Sequence, residues 1–106
     1  MERFAVPTGL KVAIPEGWEG QVRPRSGLAL RSGLGMPNAP GTIDSDYRGE
    51  LKVLLINLGP APIEIARGMR IAQMLITPAP QAEVVSVESL EDTERGSAGF
   101  GSTGTH

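Results

Sequence analysis

Residues 41–57, GTIDSDYRGELKVLLIN, place a polar turn directly before an apolar run. Pro37, Asn38 and Pro40 come just upstream and favour turns, because proline fixes φ and asparagine tolerates positive φ. The apolar run at 51–56 predicts a strand that is buried on both faces. The turn carries two carboxylates, Asp44 and Asp46, followed by Tyr47 and Arg48. Such groups beside a rigid strand indicate a functional site, although a plain acidic hairpin turn also explains them.

The rest of the chain repeats this alternation of short apolar runs with glycine and proline. The sequence has 14 Gly and 9 Pro among 106 residues, which argues for many turns and few long helices. Runs that predict strands lie at residues 4–6, 10–14, 21–23, 51–56, 63–65, 71–76 and 83–87. Short strands between such turns predict an all-β fold, a small antiparallel β-barrel or jelly-roll.

Composition excludes several classes of function. The net charge of -2 gives no support for nucleic-acid binding. The chain has no cysteine and its one histidine is the last residue, which excludes disulfides and the usual thiolate or histidine-rich metal sites. No apolar run approaches the roughly 18 residues of a membrane span, and no signal peptide is recognisable after Met1. We therefore expect a cytoplasmic protein that binds neither nucleic acid nor membrane.

A short helix is predicted at residues 27–32. Ser26 is a typical N-cap residue, and Gly33 or Gly35 would end the helix. Three arginines lie in or just before the helix: Arg23, Arg25 and Arg31. Free N–H groups and the positive end of the helix dipole favour an anion at this end, so we interpret it as a phosphate site. An ordinary capped helix is the alternative.

The C-terminal segment differs from the rest of the chain in its high glycine content. We predict two parts, a β domain over residues 1–93 and a flexible lid over residues 94–106. Glycines let consecutive N–H groups converge on an anion, and the hydroxyls of Ser102 and Thr103 add donors. Phe100, which lies among these glycines, is best explained as a ring that stacks on a planar ligand when the tail closes.

Four segments carry a family resemblance. They are PRSGLA at residues 24–29, GTIDSDYRG at 41–49, RGMRIAQ at 67–73 and RGSAGFGSTG at 95–104. In this order they resemble the second to fifth signatures of the homotrimeric dUTP pyrophosphatases (dUTPases), and the resemblance covers essentially the whole chain. No segment matches the first signature, of the Ala-Gly-x-Asp-Leu type, which would lie upstream of Met1. The resemblance implies a jelly-roll of the β-clip type that hydrolyses dUTP to dUMP and pyrophosphate.

The resemblance also implies a role for each matched residue. Asp44 would be the general base that activates water for attack on the α-phosphorus, and the Tyr47 ring would pack under the deoxyribose and leave no room for a 2′-hydroxyl. The segment implied for uracil recognition contains Asn38, Gly41, Thr42, Ile43 and Lys52. The residues implied for the phosphates and the closed tail are Arg25, Ser26, Gly27, Gln73, Arg95, Phe100, Gly101 and Ser102. Mg²⁺ would be held by the triphosphate and waters, with no direct protein ligand.

A homotrimer with shared sites is implied by the same resemblance. One chain would supply residues 25–27 and Gln73, a second residues 38–52, and a third the tail. The sequence favours association independently, because a chain this small cannot bury both of the apolar runs at 51–56 and 71–76. We also expect Gln73 to be buried in its strand, where its amide needs a hydrogen-bond partner.

Two other functions fit parts of the sequence. A dCTP deaminase would share the barrel and the Arg-Ser motif, but that family relies on a glutamate base downstream of its third motif and lacks the Gly-Phe-Gly-Ser-Thr-Gly tail. The missing first signature also fits an inactive or regulatory remnant. Tyr47 and the tail favour release of pyrophosphate over deamination, whereas the remnant stays open as an alternative.

Overall fold

The structure is a computed structural model that describes residues 1–99. Over these residues the elements follow in the order β1 (Arg3–Pro7), β2 (Trp18–Pro24), α1 (Ser26–Ser32), β3 (Leu34–Gly35), β4 (Gly41–Ile43), β5 (Lys52–Asn57) and β6 (Ala72–Pro78). Four residues with a predicted role in the site lie outside the described part of the chain: Phe100, Gly101, Ser102 and Thr103.

The strands form two antiparallel sheets of three strands each. One sheet has the order β1-β5-β3 and the other the order β4-β2-β6. The predicted all-β class with one short helix is confirmed. Within residues 1–99, however, hydrogen bonds join the strands into two separate sheets and do not close them into one barrel.

The two sheets and the helix share one apolar core. Its buried side chains are Val22, Leu28, Leu34, Met36, Val53 and Leu55. These residues come from β2, α1, β3, β5 and the loop after β3, so the cluster joins elements that are distant in sequence. Truncating one such side chain to alanine typically costs about 2–5 kcal/mol. In so small a core, each of these side chains therefore matters for stability.

β5 faces the core with one side only. Val53 and Leu55 are buried, whereas Lys52 and Leu54 are exposed, Leu54 at 39%. The prediction that this run is buried on both faces is therefore wrong. Since only the inner face of the first sheet packs on the core cluster, every second residue of β5 points away from it.

The helix α1 begins one residue earlier than predicted. Its N-cap residue is Arg25, with φ −99° and ψ 127°, and there is no hydrogen bond from a capping side chain. Ser26 is therefore the first residue of the helix and not its cap. A capping serine has an extended backbone, which lets its hydroxyl accept an N–H of the first turn. The predicted end is confirmed, because Gly33 has φ 73° and its N–H donates to Ala29 O at 3.0 Å.

The end of α1 packs closely against the loop after β5. Leu58 N–H donates to Gly33 O at 2.9 Å. A Cβ atom on Gly33 would come within 2.6 Å of Gly59 N, closer than real Cβ atoms approach a backbone. Glycine at this position therefore permits both the left-handed φ and the backbone contact that joins the helix to the first sheet.

Three predicted strands are absent from the described residues. Residues 10–14 lie outside both sheets, although Ile14 is buried. Ile63 and Ile65 pack against the core from a loop, and Val84, within the run 83–87, is 95% exposed. Alternating apolar residues predict which side chains can be buried, but a strand also needs a partner for its backbone, and these segments have none in either sheet.

No helix within residues 1–99 combines the length and apolar character that crossing a bilayer would require. The cytoplasmic location stays a prediction.

Candidate active site

A tight turn at residues 44–47 lies where the chain leaves one sheet for the other. Tyr47 N–H donates to Asp44 O at 3.1 Å, and the carboxylates of Asp44 and Asp46 are both exposed. This turn is not the tip of a hairpin, because β4 pairs with β2, whereas β5 pairs with β1 and β3. The hairpin interpretation is therefore wrong. The turn joins the two sheets.

The Tyr47 ring is held in place from two directions. Its hydroxyl donates to Glu50 O at 2.8 Å. A Cβ atom on Gly49 would come within 2.7 Å of Tyr47 Cζ, so the ring lies directly against the Gly49 backbone. The side chain nevertheless stays 43% exposed. A fixed, partly exposed ring next to a carboxylate is a surface on which a flat ligand can pack.

Arg48 braces the same turn. Its Nη1 donates to Ser45 O at 2.7 Å and to Tyr47 O at 3.1 Å. Both acceptors are carbonyl groups that a tight turn leaves unpaired, so the guanidinium stabilises the conformation that presents Asp44.

β4 is an edge strand, which bears on the predicted recognition of a base. Gly41, Thr42 and Ile43 pair with β2 along one side, and no strand of residues 1–99 pairs with β4 on its other side. Polar backbone groups on that side have no partner within the sheet and are free to bond a ligand. Asn38 lies near, since a Cβ atom on Gly41 would be 3.3 Å from its Nδ2.

Lys52 is separated from this edge by the sheet architecture. It is exposed in β5 and pairs with Pro7 of β1, in the sheet that does not contain β4. The structure therefore brings Asn38, Gly41, Thr42 and Ile43 together, but it does not pair Lys52 with them.

The segments that resemble the second and fourth signatures, at residues 24–29 and 67–73, meet at one end of the β2–β6 pair. Arg25 Nη1 donates to Arg70 O at 3.1 Å, and Arg23 pairs with Gln73 in the ladder. Within α1, a Cβ atom on Gly27 would be 3.2 Å from Arg31 Nη1, so this guanidinium lies over the first turn. The arginines at this end give it the positive charge that phosphate binding requires.

Gln73 is exposed, and the expectation that it is buried is wrong for the single chain. β6 is an edge strand of the second sheet, and most of its residues are exposed. Its apolar sequence therefore does not reflect burial within this chain. The Gln73 amide is open to a ligand or to another protein surface.

The described part of the tail folds on itself. Arg95 Nε donates to Ala98 O, and Ala98 N–H donates to Arg95 O at 3.3 Å. Gly96 has φ 62°, and its N–H donates to Thr93 Oγ1 at 3.1 Å. Arg95 is therefore held in a local turn of its own segment.

A cleft of about 760 Å³ lies beside the turn. Its lining includes Asp44, Asp46 and Arg48 together with residues 13–19. Tyr47, β4 and Arg25 do not line it, so the cleft adjoins the predicted site without coinciding with it. Within residues 1–99, no group of three or more His, Cys, Asp or Glu side chains is placed to hold a metal ion.

Sequence reasoning missed the residues that support Tyr47. Gly49 belongs to the matched segment at 41–49 and lies two residues after Tyr47. A glycine so close to an aromatic residue in a turn can indicate that the ring packs against the backbone. The Glu50 carboxylate accepts the N–H of Gly9 at 2.8 Å. No local pattern reveals this contact, because the two residues are 41 positions apart.

A family model described as dUTPase matches residues 1–104. Proteins named deoxyuridine 5'-triphosphate nucleotidohydrolase are similar to the chain. The one from Anaeromyxobacter sp. (strain Fw109-5) is 63% identical over 97% of this chain and 70% of its own length. The one from Methylocella silvestris is 63% identical over 97% of this chain and 64% of its own length. The one from Zymomonas mobilis is 62% identical over 98% of this chain and 71% of its own length. The chain is thus shorter than each of these relatives.

Solved structures agree with these matches. The Staphylococcus bacteriophage 80alpha dUTPase bound to dUpNHpp superposes with a TM-score of 0.82 at 30% identity, covering 98% of this chain and 77% of the phage chain. A mutant dUTPase from phage phi11 of S. aureus, described as coordinating a structural Mg(II) ion, gives a TM-score of 0.70 at 26% identity. That match covers 86% of this chain and 75% of the phage chain.

Proposed function

Because the chain belongs to the dUTPase family, we propose that it hydrolyses dUTP to dUMP and pyrophosphate at a site built around the turn at residues 44–47. The family match and the named relatives confirm the predicted enzyme class, a dUTP nucleotidohydrolase. None of the relatives described above is a deaminase. The observation that carries the proposal is that one turn presents both the exposed Asp44 and, three residues on, the fixed Tyr47 ring.

The proposed reaction moves one proton and breaks one bond. A water oxygen attacks the α-phosphorus while Asp44 accepts the proton, and the bond from this phosphorus to the bridging oxygen breaks. The electron pair leaves with pyrophosphate. Asp44 suits the role because it is exposed at the start of the turn, and the bond from Tyr47 N–H to its backbone carbonyl holds the turn that carries both residues.

The substrate's sugar and base would bind on either side of this carboxylate. The deoxyribose packs on Tyr47, whose ring cannot retreat because Gly49 lies behind it. A 2′-hydroxyl would then have no space, which disfavours ribonucleotides. Uracil is read by the free side of β4, where a backbone donor meets its O4 and would repel the amino group of cytosine.

The triphosphate would bind to arginines and backbone N–H groups. In the described residues Arg25, Ser26, Gly27 and Gln73 lie in segments that meet beside the β2–β6 pair. Arg95, Phe100, Gly101 and Ser102 would complete the site from the tail. Bound Mg²⁺ would neutralise phosphate charge and take its ligands from phosphate oxygens and waters, as its chemistry prefers. Guanidinium and amide groups suit that arrangement, since they bind the phosphates and do not compete for the ion.

We expect Asp44→Asn to reduce turnover of dUTP by 10²-fold or more, about the usual contribution of a general base, while dUTP still binds. Asp46→Asn is the matched control, because Asp46 lies in the same exposed turn and carries the same charge. The measurement is pyrophosphate release at saturating dUTP, together with the Kd of a non-hydrolysable analogue. An inactive Asp46→Asn variant beside an active Asp44→Asn variant would show that the base is assigned to the wrong residue.

Assembly into a homotrimer is supported by how little a single chain buries. The radius of gyration is 19.1 Å, whereas a compact domain of about 100 residues has roughly 13 Å. Large apolar side chains lie exposed across the chain: Phe4, Leu30, Leu58, Val84, Val85 and Leu90. An open groove of about 1310 Å³, lined partly by β1 and residues 62–71, is one surface that another chain can cover. We propose that three chains cover these surfaces and share the sites between them.

Sedimentation equilibrium is expected to give about three times the chain mass of 11.2 kDa. Val84→Asp should weaken the assembly, because it would place a charge in an interface while changing a side chain that is 95% exposed in the single chain. Ser89→Asp adds the same charge to the same segment and serves as the control. A monomer that is stable and active would rule out the shared site.

The tail is proposed as a lid that aligns the triphosphate. A chain truncated after Glu94 should keep the melting temperature and assembly of the full chain but hydrolyse dUTP at least about 10²-fold more slowly, the order expected for lost positioning. Truncation after Gly104 removes only two residues and should leave turnover unchanged. Unchanged turnover after removal of residues 95–106 would eliminate the lid. Loss of folding in that variant would instead make the tail a structural element.

A further inference from the structure

We infer that Glu50 is a positioning residue for the Tyr47 ring and thereby sets the preference for deoxyribonucleotides. This inference rests on the proposed role of Tyr47 under the sugar. The direct contact is the bond from the Tyr47 hydroxyl to Glu50 O at 2.8 Å. The position of that carbonyl therefore decides where the phenol can anchor.

The carbonyl of Glu50 belongs to a peptide unit that is held from its other side. In this planar unit, the carbonyl and the N–H of Leu51 point in opposite directions. Leu51 N–H donates to Leu10 O at 2.8 Å, while the Glu50 carbonyl accepts the Tyr47 hydroxyl. A rotation of this peptide that breaks one bond breaks the other. The loop at residues 8–10 thus fixes the anchor of the ring.

The Glu50 side chain fixes that loop in turn. Its Oε2 accepts the N–H of Gly9 at 2.8 Å. Gly9 has φ 75°, and an added Cβ would meet nothing within 4 Å, so no neighbouring side chain packs against it. The hydrogen bond to Glu50 and the left-handed conformation that glycine tolerates therefore hold Gly9 in place. Thr8 completes the loop: its N–H and its hydroxyl both donate to Leu51 O, at 3.1 and 2.7 Å.

Glu50 therefore takes part in a closed series of contacts. The series runs from its carboxylate through Gly9, Leu10 and Leu51 back to its own carbonyl. The carboxylate makes a charge-assisted hydrogen bond, which is roughly twice as strong as a neutral one. Glutamine can keep the acceptor without the charge, whereas alanine removes the acceptor altogether. The two substitutions thus separate the hydrogen bond from the charge.

The test compares kcat and KM for dUTP and UTP in Glu50→Ala, Glu50→Gln and the full-length parent chain. Glu50→Ala should raise the KM for dUTP about tenfold, the scale of one lost hydrogen bond to a charged group, and narrow the preference for dUTP over UTP. The kcat for dUTP should change by less than about twofold, because Asp44 is untouched. Glu50→Gln should recover most of the loss. Glu64→Ala, which removes an exposed carboxylate from a loop, is the control.

A double-mutant cycle with Tyr47→Phe makes the test specific. Tyr47→Phe removes the hydroxyl anchor and leaves the loop untouched, so its effect on the preference does not depend on how well Glu50→Ala folds. Because both changes act through one carbonyl, the double variant should lose no more of the preference for dUTP than the more impaired of the two single variants. Additive effects, or an unchanged preference in Glu50→Ala, would overturn the inference. If Tyr47→Ala itself leaves the preference unchanged, the sugar platform of the proposed function fails as well.

Discussion

The chain crosses from one sheet to the other between Ile43 and Lys52, and the rest of the structure depends on this crossing. A strand pair could have satisfied the backbone of these residues, but β4 and β5 lie in different sheets. The unpaired groups are therefore satisfied locally, by the bond from Tyr47 to Asp44 O and by the guanidinium of Arg48. A segment that is rigid and yet exposed is the result, which is the combination that a catalytic carboxylate needs.

The crossing also explains why the groups proposed to bind the substrate lie near it. β4 is short and lies at the edge of its sheet, so one row of its backbone groups stays free. β2, the centre of the same sheet, leads into α1 and the arginines of the proposed phosphate site. The core buries only one face of each sheet, and the opposite faces and the valines after β6 are left exposed. That excess of exposed apolar surface favours the proposed association.

Local chemistry allowed much of the fold to be predicted from the sequence. Gly33 ends the helix as expected, and most of the run at 51–56 is a strand, since a glycine at a helix end and a short, mostly apolar run between turns can be recognised from neighbouring residues alone. What failed depends on partners elsewhere in the chain. Packing between distant segments decides three such features: the outward direction of Leu54, the exposure of Gln73 and the loop conformation of Ile63. In the candidate site, the sequence predicts Asp44 and Tyr47 from their segment, and their roles stay predictions. It gives no sign of Glu50, because its partner Gly9 is 41 positions away.

Mixing two inactive chains tests most directly whether the site is shared between chains. The Asp44→Asn chain keeps its tail, and the chain truncated after Glu94 keeps its Asp44, so neither should hydrolyse dUTP alone. If the carboxylate and the tail of a site come from different chains, refolding equal amounts together should restore about one quarter of the sites, because each part is intact with a chance of one half. Mass spectrometry of the mixture confirms that hybrid trimers form. Hybrid trimers without activity would mean that a single chain supplies both parts, which contradicts the shared site.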